Sequence, residues 1–498
     1  MGRSGRFLLG GATVVTAVAV AIAFFATSED DAPRPDGPRP SAPLPQAFFG
    51  VNVQGLADLP SGQVERHLDV IAAGGLDVVR RDASWEVAEP EPPVGGRRDY
   101  RWERFDRELA GYARHGLRWL PIVDYSTPWA ASVPGDPFSP PARTDDYAAY
   151  AAALAARYGT NGSFWSEHPE LPRLPVTRYE IWNEPNAELF WHPSAGAPER
   201  YAELYQAAQQ AIRGADPAAR VIVGGLALAN TNVTDQHAFM RAMVAHRPQL
   251  AQTIDAVALH PYAPTPAAVL DQIAEFRHTL TGLGLGQVPL EITEIGWTTT
   301  NTPEQTRATN LQTLAGQLPR SDCNIQSLIP HTWTTPEQNP ADPEHWFGIT
   351  NHDTTPKPTA TAYMSAVQAM RNGPAQAGSL PVCAAEPPNP SGVRRLRPAP
   401  KRPQLRMRVT RREGRRPHVL ATLRCPAGCR LELTLALRDR RARGTRLLGR
   451  RTLPFSARAR KVTFRLGSSG VPLRLRAKAT GRQGGVTVRT RTLRSRRS

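Results

Sequence analysis

Eight apolar, β-forming runs, each followed by a stretch of helical period, fill residues 48–371, and that alternation restricts the fold more than any other feature of the chain. The runs are FFGVNV (48–53), LDVVRRD (76–82), LRWLPIVD (117–124), RYEIWNE (178–184), RVIVGGL (220–226), IDAVALH (254–260), PLEITE (289–294) and NIQSLIPHTW (324–333). The helical stretches are 63–73, 102–114, 145–157, 198–213, 235–245, 267–283, 303–318 and 359–370. Near-continuous apolarity belongs to strands covered on both faces, as in parallel sheets flanked by helices. Eight strand–helix pairs predict a (β/α)8 TIM barrel over 47–383. A doubly wound sheet is the competing arrangement, but it usually carries a glycine-rich phosphate loop after its first strand. Here Gln54-Gly55-Leu56 follows instead.

In a barrel, chemistry gathers at the C-terminal strand ends. Those ends supply Asn52, then Arg80 and Asp82, then Asp124 with Tyr125 and Trp129 beyond it. Asn183 and Glu184 end the fourth run, His260 and Tyr262 the sixth, Glu294 and Trp297 the seventh, and His331 and Trp333 the eighth. Strand alternation through YEIWNEPN (179–186) puts Glu180, Trp182 and Glu184 on one face, with Glu184 last. A carboxylate at the end of a buried strand is costly without a partner or a task. Carboxylates, amides and indoles around one mouth suit a sugar, whose hydroxyls need polar partners and whose C–H faces need aromatic ones. Retaining glycoside hydrolysis needs two carboxyls about 5–5.5 Å apart, one protonated acid and one ionised nucleophile. Glu184 and Glu294 are the candidates, with Arg80 expected to hold Glu294 ionised, Tyr262 to donate to it, and Asn183 to bond a sugar 2-hydroxyl. Glu180 sits one pleat deeper and is expected to pair with Arg80 or Arg81. Glu291 has the wrong parity to join Glu294. His and acidic residues are not grouped at metal-ligand spacing, so neither a metal nor a cofactor is expected.

These motifs resemble those of retaining glycoside hydrolases of clan A, the 4/7 superfamily. WNEPN (182–186) is similar to the clan's acid/base motif and ITEIGW (292–297) to its nucleophile motif. VRRDASW (79–85) and HPY (260–262) match its strand-2 and strand-6 motifs, and the resemblance covers about 48–370. The stretch ELFWHPSAGAPERYAELY (188–205) resembles family-thirty-nine-like bacterial enzymes, relatives of β-xylosidases and iduronidases that include exopolysaccharide-cleaving members. The resemblance implies Glu184 as acid/base and Glu294 as nucleophile. It also implies Asn183, Arg80, His260, Tyr262 and Trp333 as residues around the cleaved sugar; Asp124 and Trp297, from their places at the strand ends, are read as further substrate contacts. The activity implied is cleavage of a polysaccharide or oligosaccharide. The competing reading is a carbohydrate-binding or envelope adhesion protein that has lost catalysis.

The flanks say where such a chain works. Arg3 and Arg6 precede an apolar run over 7–26, and Glu29, Asp30 and Asp31 follow it, the charge order of an export signal. Segment 1–28 therefore reads as an N-terminal membrane anchor or a cleaved signal peptide, with Ala21-Ile22-Ala23 as the cleavage candidate. An extracytoplasmic location follows from either. A Pro-rich spacer (29–46) leads into the barrel, and a Pro/Arg-rich linker (384–403) leaves it. In 404–498, apolar residues alternate with Arg in short runs, which predicts a small antiparallel β-sandwich. The net charge of +17 hides an asymmetry: 33 of the 61 basic residues but 3 of the 44 acidic ones lie beyond Val393, giving +30 there and −13 before it. An anionic envelope polymer is the partner this module would suit. Nucleic acid is not expected, because export and the lack of interleaved aromatics argue against it. The four cysteines suit an exported chain if Cys323 pairs with Cys383 and Cys425 with Cys429.

Overall fold

The computed structural model describes residue 44, residues 47–384 apart from 57–58, 229–232 and 374–379, and seven strands with adjoining residues between 404 and 493. The apolar segment 7–26 and nearly all of both linkers lie outside the described residues. No helix among the described residues is long and apolar enough to cross a membrane.

Eight parallel strands pair in chain order: β1 (Gly50–Asn52), β2 (Val78–Ser84), β3 (Arg118–Asp124), β4 (Arg178–Ile181), β5 (Arg220–Ala227), β6 (Ala256–His260), β7 (Leu290–Ile292) and β8 (Ile325–Leu328). A parallel bridge between Phe49 and Leu328 joins the last strand to the first, with Leu328 N–H donating to the Phe48 carbonyl (2.8 Å). This is the expected TIM barrel, with each of the eight predicted helices present. Two of them start on side-chain caps, where Asp235 accepts from Ala238 N–H and Thr265 from Ala268 N–H, contacts worth about 1 kcal/mol each.

The alternation of the strands divides the molecule into two layers. Outward residues such as Val79, Val123, Ile181 and Val223 join the main core between sheet and helices. Inward residues Val78, Leu120, Ile222, Ala256 and Ala258 form a small apolar plug inside the barrel. Above that plug the interior turns polar, with Arg80, Asp82, Asp124, Glu180 and His260 on the inward parity of their strands. Outward-facing Arg81 leaves the barrel and pairs with Glu108 on helix Glu103–Arg114 (3.0 Å).

The second unit has β9 (Arg406–Arg412), β10 (His418–Arg424), β11 (Cys429–Arg438), β12 (Thr445–Ser456), β13 (Arg460–Arg465), β14 (Leu473–Thr480) and β15 (Val486–Leu493). They form antiparallel sheets of order β13-β10-β9 and β12-β11-β14-β15. Both sheets contribute to one core, which includes Val419, Leu423, Leu433, Leu435, Phe464 and Leu475. Cys323 and Cys383 form a disulfide. Cys425 is disulfide-bonded as well, while the side chain of its expected partner Cys429 lies outside the described residues.

Candidate active site

Arg80 organises the mouth of the barrel. It is fully buried on β2, and its Nε and Nη2 donate to Glu180 Oε2 (2.8 Å) and Oε1 (2.9 Å). Its remaining nitrogen, Nη1, donates to Glu294 Oε1 (2.7 Å), and Nη2 also reaches Asn183 Oδ1 (3.0 Å). A planar guanidinium fork makes this division possible, since a lysine ammonium could not hold two carboxylates and an amide in fixed orientation. Of the two sequence alternatives for Glu180, the partner is thus Arg80. Glu291 instead faces Arg178 Nη1 (2.9 Å), away from Glu294.

Glu294 receives a second hydrogen bond from the Tyr262 hydroxyl at Oε2 (2.9 Å). His331 Nδ1 stands 4.0 Å from the same oxygen. Burial alone would raise the Glu294 carboxyl, but His260, His331 and Arg80 outweigh it and hold it well below the usual carboxylate range. His331 moves the opposite way. Burial lowers it, and Glu294 with Glu344 overcomes that and raises it.

Glu184 has a different environment. Its only side-chain hydrogen bond among the described residues joins Oε1 to His260 Nδ1 (2.9 Å). The other ring nitrogen, Nε2, meets Thr293 Oγ1 (3.1 Å), and the Thr293 hydroxyl donates to Glu180 Oε1 (3.3 Å). Because Glu180 is an acceptor, the chain of donors fixes the tautomer: Thr293 O–H serves Glu180, and His260 Nε2–H serves Thr293. Nδ1 is then left to share a single proton with Glu184. Glu294 is held ionised by its cationic neighbours, while Glu184 is hydrogen-bonded to an imidazole. An oxygen of Glu184 and one of Glu294 lie within 4.8 Å of each other.

The backbone is bent to make this arrangement. β4 ends at Ile181, and both Trp182 (φ 65°) and Glu184 (φ 45°) adopt left-handed conformations, which cost a non-glycine residue roughly 1–2 kcal/mol. Glu184 N–H bonds the Gly225 carbonyl (3.1 Å), and Gly225 N–H bonds Glu180 Oε1 (2.9 Å). The β5–β6 register slips between Val223 and Leu226, around Gly224 and Gly225. A Cβ on Gly225 would stand 1.9 Å from His260 Nε2, so only glycine lets the imidazole lie against this strand.

Several expectations need correction here. Trp182 does not share a face with Glu180 and Glu184, because the left-handed turn ends the alternation. Its indole packs into the outer core against Tyr125 and Trp191 and donates to the Phe190 carbonyl (2.8 Å). Trp333 does not line the mouth either. It is fully buried against helix Ser61–Ala73, where its indole N–H donates to His67 Nδ1 (3.0 Å). Trp297 is buried, its N–H used by the Ala263 carbonyl (2.7 Å). Asp124 is fully buried beside Asp82, and apart from its contact with that carboxyl neither of its oxygens has a hydrogen-bond partner among the described residues. Burial pushes both carboxyls up, Asp124 well above the ordinary range, and the charge of Asp82 adds to the rise of Asp124. Asp82 is the partly exposed member, and it accepts from the Gln54 side chain. The group missing from the sequence-derived set of contacts is His331. It precedes Trp333 by two residues, and its place at the end of the eighth run was its only signal.

A cavity of about 980 Å³ opens beside Glu184, between the segments following β4, β5 and β6. Its walls include Glu184, Glu188, Leu189, Gln236, Tyr262 and Glu275, but not Glu294. Of the two carboxyls, Glu184 is thus the one that faces this cavity.

Residues 174–280 match the model of glycosyl hydrolases family 39. No curated protein matches the chain. Many solved structures are similar, three of them as follows. A family 39 glycoside hydrolase from Bacteroides cellulosilyticus WH2 is 18% identical, with 84% of this chain and 80% of that one covered and a TM-score of 0.48. A GH39 β-xylosidase from Caulobacter crescentus is 18% identical, with 80% and 84% covered and a TM-score of 0.49. A glucosidase from Croceicoccus marinus is 13% identical, with 85% and 95% covered and a TM-score of 0.50, a likeness of fold alone.

Proposed function

We propose that this chain is a retaining glycoside hydrolase of family 39 in clan A, whose model its residues 174–280 match, and that it cleaves an O-glycosidic bond of a polysaccharide or oligosaccharide by double displacement, with Glu184 and Glu294 as its two carboxyls. The observation that carries this is the approach of the two carboxyls to within 4.8 Å. So close an approach suits the pairing of a retaining enzyme, whose carboxyls stand about 5–5.5 Å apart, better than the about 6.5–9.5 Å of an inverting one.

Glu294, ionised and held by Arg80 and Tyr262, attacks the anomeric carbon while Glu184 gives its proton to the departing oxygen. The glycosyl–Glu294 ester forms, and the leaving sugar departs into the cavity beside Glu184. Glu184, now a carboxylate held in place by His260, takes a proton from water as that water attacks the same carbon and the Glu294 ester breaks, which restores both carboxyls. Two inversions give net retention. Asn183 accepts from Arg80 through Oδ1, which leaves its N–H2 group as a donor for the sugar 2-hydroxyl. The size of the cavity supports a saccharide leaving group over a small alcohol. The basic–apolar–acidic order of 1–31 and the Cys323–Cys383 disulfide support work outside the cytoplasm.

A screen of aryl glycosides and envelope polysaccharides, with wild type beside Glu184→Gln, tests this reading. Retained anomeric configuration in the products, and a variant that loses turnover most on poor leaving groups, are expected. Carbohydrate binding without turnover by wild type would favour the adhesion reading instead.

A further inference from the structure

The sheet β13-β10-β9 buries Val419, Ala421, Leu423, Val462 and Phe464 on one face. The other face presents Arg406, Arg408, Arg424 and Lys461 to solvent, with Thr410 and Thr463 exposed among them. Its three strands contain 8 Lys+Arg and no Asp or Glu. Arg406 lies directly opposite Arg424 across the ladder, and Thr422 lies between Arg408 and Lys461. Like charges set opposite one another destabilise a sheet unless an anion lies over them. Among the described residues, no carboxylate pairs with any of these four cations.

A general preference for Arg over Lys, seen in 57 of the 61 basic residues, would leave the local excess of basic over acidic residues unexplained. The same chain holds 28 basic and 41 acidic residues before Arg394. The catalytic body would therefore be repelled by a polyanion that the second unit attracts.

We propose that the outer face of the β13-β10-β9 sheet binds an anionic polysaccharide and holds the acidic barrel against it. Guanidinium forks match carboxylates in pairs, and the threonine hydroxyls between them match sugar hydroxyls. Strand geometry sets Arg406 and Arg408 about 6.8 Å apart on one face, a ladder of charges that a repeating polymer can follow. Proteins that bind single-stranded nucleic acid place aromatic rings between their cations for base stacking, and the described outward residues of this sheet include no Phe, Tyr or Trp, with His418 at one end of β10. The choice of a polysaccharide rests on the glycosidase reading of the barrel.

The test uses the full chain and a full-length variant with Arg406→Glu, Arg408→Glu, Arg424→Glu and Lys461→Glu. Retention is measured on immobilised polygalacturonate, neutral dextran and double-stranded DNA at several salt concentrations. Wild type should be held more tightly by polygalacturonate than by DNA and pass dextran freely, and its retention should weaken about tenfold or more as salt rises from 50 to 200 mM. The variant should lose about tenfold or more in retention, with turnover of a soluble aryl glycoside unchanged. A milder variant with Gln at the same four positions should fall between the two, which separates charge from misfolding. Unchanged retention in both variants, equal retention on dextran, or tighter retention on DNA would overturn the proposal. Retention reports on the tail and aryl-glycoside turnover on the barrel, so the two readings fail separately.

Discussion

His331→Asn removes one cation from beside Glu294 and leaves its hydrogen bonds intact, so its consequences can be worked out in sign and size. The separation is 4.0 Å, with the His331 side chain 18% exposed and that of Glu294 12% exposed. Unit charges at that distance interact by about 4 kcal/mol at an effective dielectric of 20 and about 1 kcal/mol in bulk water. Both groups reach the open mouth, so about 1–2 kcal/mol is expected. The second His331 partner, Glu344, is 68% exposed and adds little. The folded His331 titrates above its unfolded value of 6.5. Its contribution is therefore fully present below that value and is lost as pH rises through the folded one. Glu294 is depressed, so its contribution is present above the ordinary Glu range and is lost as pH falls through its folded value. Thermal unfolding of wild type and variant should differ by about 1–2 kcal/mol at pH 5.5, and this gap should shrink towards zero at pH 9. The acid limb of kcat/KM should also rise by about one unit in the variant. A stability gap of the same size at both pH values would refute the electrostatic account of His331.

Arg80→Met should destabilise the barrel by about 3–5 kcal/mol, because Glu180 would be left as a buried charge without its cation; urea unfolding measures this. Gly225→Ala should lower kcat/KM by at least about tenfold with secondary structure retained, because its Cβ would collide with the His260 ring. Circular dichroism beside aryl-glycoside kinetics checks both halves of that statement. Cys323→Ser should cost about 2–4 kcal/mol, since the bridge closes a loop over a sequence separation of 60. The loss should appear as a lower melting temperature under non-reducing conditions.

The barrel was legible because its signal is repeated. Eight apolar runs at strand length admit few arrangements, and small errors at each boundary do not alter the order of the elements. Glu180 was separable from Glu184 for a similar reason, since depth along a strand follows from position. Face assignments failed where the strands stop. Trp182 was given the parity of Glu180 on the assumption of an extended backbone, and its left-handed φ turned it into the outer core. Trp333 and Trp297 were expected at the mouth because indoles there suit sugars. Each is buried, with its N–H used by a neighbour from a distant part of the sequence, His67 in one case and Ala263 in the other. Nothing local in a sequence announces such partners. The sharing of a proton by Glu184 and His260 was equally hidden, because it depends on Thr293 and Glu180 as well as on the two groups themselves.

The identity of the nucleophile is the central claim, and trapping the covalent intermediate tests it most directly. An activated 2-deoxy-2-fluoro aryl glycoside slows breakdown of the glycosyl ester more than its formation, so the labelled enzyme can be digested and sequenced by mass spectrometry. The account predicts one sugar per chain, attached to the peptide that contains Glu294 and absent from Glu294→Gln. A label on Glu184, Glu180 or Glu291, or turnover that proceeds with inversion and never forms an adduct, would contradict it.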